Sequence, residues 1–376
     1  MGSAFELTTQ ANIWRKLKYM DWLLVVLICA VALVGFLSLY AAANGSMNPW
    51  ASRQAVRFAL GFAMMMAIAL IDIRFWLRVS YICFGAGILL LLFVQVAGHI
   101  GMGAQRWIDL GFMKLQPSEI MKIAVVMALA RYFHTATKED MRRILFLLPA
   151  ALIILCPVGL VLLQPDLGTS LMIIIAGVAV FFVAGAPLWI FIGGIVVTLS
   201  SIPVAWHFMH DYQKQRVLTF LNPESDPLGS GYHITQSKIA LGSGGLDGKG
   251  FLQGSQSRLN FLPEKQTDFI FTLWAEEWGF IGGIALLAIF ALIFIYCGWI
   301  SLMCRYAYGK ILSFGLMVNF SLYVFINIAM VMGLIPVVGA PLPLISYGGT
   351  AMLSAMVGFG LIMSCSIHKD SKLPRM

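Results

Sequence analysis

The chain has 376 residues, of which 60% are hydrophobic and 11% charged. A soluble domain carries roughly 25% charged residues, so the composition excludes a water-soluble globule and implies a polytopic membrane protein. Lys and Arg outnumber Asp and Glu by 25 to 17, a net charge of +8; in a membrane chain this excess reports orientation and anionic-lipid contact, not nucleic-acid binding.

A span needs about 20 apolar residues. Ten are predicted, at about 21–43, 55–72, 76–98, 117–133, 144–163, 168–185, 188–208, 269–298, 311–334 and 346–365. Arg15, Lys16 and Lys18 precede the first span, and no cleavable signal pattern is present, so this helix is expected to be its own anchor. If the N-terminus is cytoplasmic, the cytoplasmic ends carry 14 Lys and Arg and the short outer segments carry 5. Six more lie in one long loop and are discounted, because long loops escape the positive-inside rule. An even number of spans returns the C-terminus to the cytoplasm. The expected fold is therefore all-α, a single transmembrane domain over 1–376 in a bacterial inner membrane. Both termini are cytoplasmic, and one large periplasmic loop, 209–268, joins helices 7 and 8. No repeat of 20–50 residues is visible.

The six cysteines lie in or near apolar helices without CxxC spacing, which reads as core packing. The six histidines form no zinc pattern.

Charges at membrane depth are functional candidates by default. Arg53 and Arg57 share one face at i, i+4 and read either as snorkelling cations or as a phosphate site. Glu119 and Lys122, in QPSEIMKIA, open the fourth span at i, i+3; they are a self-neutralising pair or line a polar cavity. Pro117 and Glu119 suit a first helical turn. Asp166 in QPDLGTS reads mainly as a helix cap. Asn327 sits in an apolar span and needs a partner, and the Pro/Gly-rich LIPVVGAPLPLISYGG after it suggests broken helix geometry.

The long loop is the only extended polar segment, and loops of that length usually carry function. It holds Arg216, Glu224, Asp226, Lys238, Lys249, Glu264, Lys265 and Asp268. Asp268 stands where the loop re-enters the membrane. Read from spacing, it is an N-cap of the eighth span or a general base whose pKa is raised by partial desolvation. The glycines of GSGG and GKG allow sharp turns or close approach of backbone to a ligand, but match no nucleotide-binding pattern.

Several stretches together resemble the SEDS family (shape, elongation, division and sporulation). They are GAQRWIDLG with QPSEIMKIA, QPDLGTS, HDYQKQRVLTFLNPESDPLGSGYHITQSKIALGSGG, FLPEKQTDFIFTLWAEEWGFIGG and NIAMVMGLIPVVGAPLPLISYGG. They cover nearly the whole chain, apart from the extreme N-terminus and the basic tail. HDYQKQRV and NPESDPLG favour the elongation-type members over the division-type ones. The resemblance implies a glycosyltransferase that polymerises lipid II, the undecaprenyl-pyrophosphate-linked disaccharide-pentapeptide, beside a class B penicillin-binding protein that crosslinks the peptides. It maps the family's essential aspartate to Asp268 and its Glu/Lys pair to Glu119 and Lys122. Many relatives are expected to carry His before the Thr-Asp; here the residue is Gln266, which puts more weight on Asp268 as the base.

On this reading Asp268 takes the proton of the acceptor 4-hydroxyl. Arg53, Lys122 and Arg216 are the candidates to stabilise the departing pyrophosphate; Arg57, Glu119, Asp166 and Lys238 are further cavity candidates. The chemistry leaves room for one cofactor, a divalent cation (magnesium or manganese) at the leaving group. Competing classes are a lipid II flippase or other transporter, whose essential charges should lie deep in the bundle, and a non-catalytic scaffold.

Overall fold

The computed structural model describes residues 13–101, 104–109, 111, 114–209, 211–222, 230–259, 261, 264–371 and 373. Glu224, Asp226 and the tail cations Lys372 and Arg375 lie outside them.

Each expected span corresponds to a helix. A short helix, α1 (Ile13–Lys18), precedes α2 (Trp22–Ala42), α3 (Ala51–Leu70) and α4 (Ile73–Ala97). Then come α5 (Pro117–Phe133), α6 (Ile144–Leu163), α7 (Leu167–Ala184) and α8 (Leu188–Phe208). After the loop follow α12 (Ile270–Met303), α13 (Ala307–Val331) and α14 (Gly349–Ile367). Among the described residues, eight are long and apolar enough to cross a membrane; the other two expected spans are α5 and α8.

α5 is the axis of the bundle. Fourteen of its 17 residues are buried, including Glu119 and Lys122. A helix apolar all round belongs inside, and IAVVMALA presents small or slim side chains to every neighbour. α4, α6, α7, α13 and α14 all pack on it.

The ends of the spans sort into two faces. On one, Lys16 Nζ donates to Leu70 O (2.7 Å), Arg131 Nη1 to Arg78 O (2.6 Å) and Tyr296 to Asp21 Oδ1 (2.8 Å). Arg305 N–H meets Lys369 O there at 3.2 Å. These are the basic segments that the charge count places together. The opposite face gathers the residues expected outside.

Two features depart from the expectation. A small antiparallel sheet precedes α5, in the order β1 (His99–Gly101), β2 (Ala104–Asp109) and β3 (Lys114–Leu115). Its strands are too short to announce themselves by alternation. The long loop is also no domain poised above a scaffold. It folds into α9 (Asp211–Leu221), α10 (Ser230–Ser243) and α11 (Ser255–Arg258), and it docks into the bundle. Ser237 on α10 donates to Val331 O and meets Thr272 Oγ1, each at 2.8 Å.

The glycine motif explains part of that docking. Gly279 breaks α12 with φ +65, and the 242–250 turn lies against the break. Phe280 and Ile281 donate N–H to Gly245 O and Leu246 O, while Lys249 and Gly250 donate to Glu276 O and Glu277 O, all at 2.9–3.1 Å. A Cβ on Gly248 (φ +83) would sit 2.1 Å from Glu277 O. The backbone these glycines admit is the chain's own α12, not a phosphate. Glu276, fully buried, is neutralised by Lys249 Nζ at 2.9 Å and accepts the Gln256 N–H at 2.9 Å.

Candidate active site

Asp268 occupies the turn that leads into α12, partly buried at the mouth of the bundle. The N-cap position belongs to Phe269, and no side chain caps the helix. The cap reading of Asp268 is thereby corrected: among the described residues its carboxylate makes no capping bond to α12. Three tertiary contacts fix the turn. Asn327 Nδ2 donates to Asp268 O at 2.8 Å, Ser346 Oγ to Thr267 O at 2.6 Å, and Tyr347 N–H to Gln266 O at 2.8 Å. Gly339, with φ +78, passes the carboxylate so closely that a Cβ there would lie 3.4 Å from Asp268 Oδ2. The broken segment expected after α13 is thus the wall of the site, and Asn327 has its partners.

Burial and the nearby Glu264 push the Asp268 carboxyl up to about 6, against the opposing pull of Arg216. Arg216 reaches the site from α9, and its Nη1 donates to Val337 O at 3.1 Å. Lys238 of α10 lies over Gly333, whose φ is +68. Lys265, in the Asp268 turn, is buried, which lowers its ammonium pKa. Sequence reasoning put it among the loop charges without singling it out.

Arg57 stacks on the Tyr347 ring, 4.5 Å from its centroid. The two line a cleft of about 320 Å³ with Trp107, Asp109, Gly111, Lys114, Gly348 and Gly349. Two cations face this cleft at the amino end of α14, where backbone N–H groups favour an anion. Tyr347 also bonds Gln266, so the cleft and the Asp268 turn share one strand of chain. Arg53, one helical turn earlier on α3, is exposed and does not line the cleft.

Glu119 and Lys122 form a closed network. Lys122 Nζ donates to Glu119 Oε1 at 2.9 Å and lies 4.1 Å from the Tyr323 ring centroid. Tyr323 Oη donates to Glu119 at 2.5–2.6 Å, and Ser354 Oγ donates to Glu119 Oε2 at 3.1 Å. Lys122 is only 1% exposed. An ammonium so enclosed is engaged with its partner, and Lys122 lines neither the cleft nor the Asp268 turn. Tyr323, which bonds this network, and Asn327, which bonds Asp268 O, are one turn apart on α13, about 6 Å along its axis.

Asp166 is a cap. Its carboxylate accepts Thr169 N–H at 3.1 Å and Thr169 Oγ1 at 2.9 Å, with Arg106 Nε 4.0 Å away. It lines neither the cleft nor the Asp268 turn. Among the described residues, no group of three or more His, Cys, Asp or Glu side chains could hold a metal ion.

The family model for FtsW, RodA and SpoVE, described as cell cycle protein, matches residues 17–371. The chain is 43% identical over 361 residues to the peptidoglycan glycosyltransferase MrdB of Escherichia coli (strain K12), covering 95% of each. It is 30% identical to the peptidoglycan glycosyltransferase RodA of Treponema pallidum (strain Nichols), covering 94% and 99%. To a probable peptidoglycan glycosyltransferase FtsW of Coxiella burnetii it is 36% identical, covering 85% and 87%. One solved chain, from a study of the "structural coordination of polymerization and crosslinking by a peptidoglycan synthase complex", superposes with TM-score 0.83 at 31% identity, covering 94% and 99%. The Thermus thermophilus rod shape determining protein RodA superposes with TM-score 0.70 at 28% identity, covering 94% and 98%.

Proposed function

The chain belongs to the FtsW/RodA/SpoVE family of cell cycle proteins, and from that premise we propose that Asp268 is the base with which it polymerises lipid II at the outer face of the bacterial inner membrane. It is a peptidoglycan glycosyltransferase, and its greater identity to MrdB than to the division relative supports a role in elongation. The observation that carries the site reading is a carboxylate with a raised pKa, unspent on capping, at the mouth of the bundle beside Arg216 and a cationic cleft.

In the reaction, the acceptor sugar's 4-hydroxyl attacks the donor's anomeric carbon. A new C–O bond forms as the bond to the lipid pyrophosphate breaks, with inversion. Asp268 accepts the hydroxyl proton; a carboxylate with pKa about 6 is a stronger base than an ordinary one, yet still ionised at neutral pH. Arg216 and the Arg57–Lys114 cleft meet the departing pyrophosphate on this reading, supported by its oxygens suiting an Arg fork. A divalent cation, magnesium or manganese, would be carried in by that pyrophosphate and would supply charge neutralisation there, with Glu264 available as a carboxylate near it. The crosslinking partner is a class B penicillin-binding protein.

Asp268→Asn, purified as a folded chain and given lipid II in detergent, should lose glycan synthesis by at least about 10²-fold, the low end of a general base's contribution. Near-normal synthesis would remove the base assignment. The same assay speaks against the transporter reading, because a flippase has nothing to do on lipid II already in detergent.

A further inference from the structure

The turn that carries Asp268 presents three consecutive backbone carbonyls, and each accepts from a different residue distant in sequence. Tyr347 N–H takes Gln266 O, Ser346 Oγ takes Thr267 O, and Asn327 Nδ2 takes Asp268 O, at 2.6–2.8 Å. The donors stand on α13 and on the segment before α14, none on the turn itself. Two of them also hold the segment that supplies them. Asn327 gives its second amide hydrogen to Ala340 O at 2.7 Å, and Ser346 Oγ accepts the Leu342 N–H at 2.7 Å. Gln54 of α3 secures Ser346 O at 3.0 Å.

Asn327 is fully buried, and its Oδ1 has no partner among the described residues. A buried amide oxygen left unmatched is costly. The residue is therefore kept for its two N–H donors, one of which ends on Asp268. No side-chain cap bond is made at the N-cap of α12, Phe269.

We propose that Asn327 and Ser346 are positioning residues for glycosyl transfer, holding the Asp268 backbone so that its carboxylate meets the acceptor hydroxyl. This rests on Asp268 being the base. A base must lie within about 2.6–3.2 Å of the proton it takes; within the turn Thr267 bonds back to Glu264, but the bonds to the Gln266, Thr267 and Asp268 carbonyls are what tie the turn to the bundle. Gly339 supplies the complementary half, an open flank beside Oδ2. Among the described residues, Glu264 on its own turn and Arg216 on α9 act on the Asp268 carboxylate, Lys265 shares the turn, and the ring of His233 on α10 lies 6.1 Å from that of Phe269. Releasing the turn admits water to the carboxylate and brings its pKa down toward the ordinary value.

The test measures lipid II polymerisation by the full chain across pH for Asn327→Leu, Ser346→Ala and Ser346→Thr. For Asn327→Leu and Ser346→Ala, kcat should fall by about 10²-fold, the effect of a misplacement near 1 Å, with KM little changed. The acidic limb of their rate profiles should move to lower pH than the wild type's. Ser346→Thr keeps the hydroxyl and should restore both rate and limb. An unmoved limb, whether or not the rate falls, overturns the proposal, because a loss of folded protein scales the whole profile without shifting it. Asp268→Asn run alongside separates the two ideas. If it stays active, the base reading fails. If it is dead while the positioning variants keep the wild-type profile, only the positioning inference fails.

Discussion

At the scale of single residues, the structure sorts the charges that composition marked as anomalous. Asp166 and Asp268 are both acids at the start of an apolar run, and spacing gives both the same cap reading. Asp166 caps through Thr169; Asp268 does not cap, because Phe269 takes that position and the turn is held from outside. Glu119 and Lys122 were readable as a pair from their i, i+3 spacing, but Tyr323 and Ser354, 204 and 235 residues from Glu119, complete the network. Burying one charge without its partner is expensive. Lys122→Met should therefore cost about 3–5 kcal/mol, and the double variant Glu119→Gln/Lys122→Met should recover most of it. Denaturant unfolding of the three proteins in detergent checks this. A double variant as unstable as the single one would show that the pair is not a neutralising unit.

At the scale of elements, the notable one is the seat between the 242–250 turn and the broken start of α12. The glycines were visible in the sequence, and so was their permissiveness; what they admit was not. Gly248 combines a left-handed φ with a carbonyl 2.1 Å from where a Cβ would stand. Gly248→Ala should destabilise by about 1–3 kcal/mol through strain and overpacking. Gly242→Ala is the contrast: it lies in α10 with open space around its Cα, so alanine should be neutral or stabilise by up to about 1 kcal/mol. Thermal unfolding of the two variants decides; equal effects would mean that the seat does not hold the loop. The small sheet β1–β3 has no comparable sequence signal, since strands of two to six residues show almost no period.

At the scale of the whole molecule, the ends of the spans divide into a basic face and a face that bears the site, as the count of Lys and Arg predicts. A fluorescent reporter fused to the C-terminus should fold and emit in the cytoplasm, and alkaline phosphatase inserted after Asn222 should be active. An inactive phosphatase with both fusions stably expressed would reverse the assignment of the site to the periplasm. The sequence by itself determined the number of spans and their order and singled out one long polar loop with a carboxylate at its membrane end, because hydropathy, charge asymmetry and the run of motifs are local and additive along the chain. Only the tertiary structure decided which charge neutralises which, that the glycine motif receives α12, and that Asn327 and Ser346 hold the Asp268 turn. Apart from the Glu119–Lys122 pair, those contacts join residues 27 to 235 positions apart, and no periodicity in a linear sequence records a hydrogen bond made across the bundle.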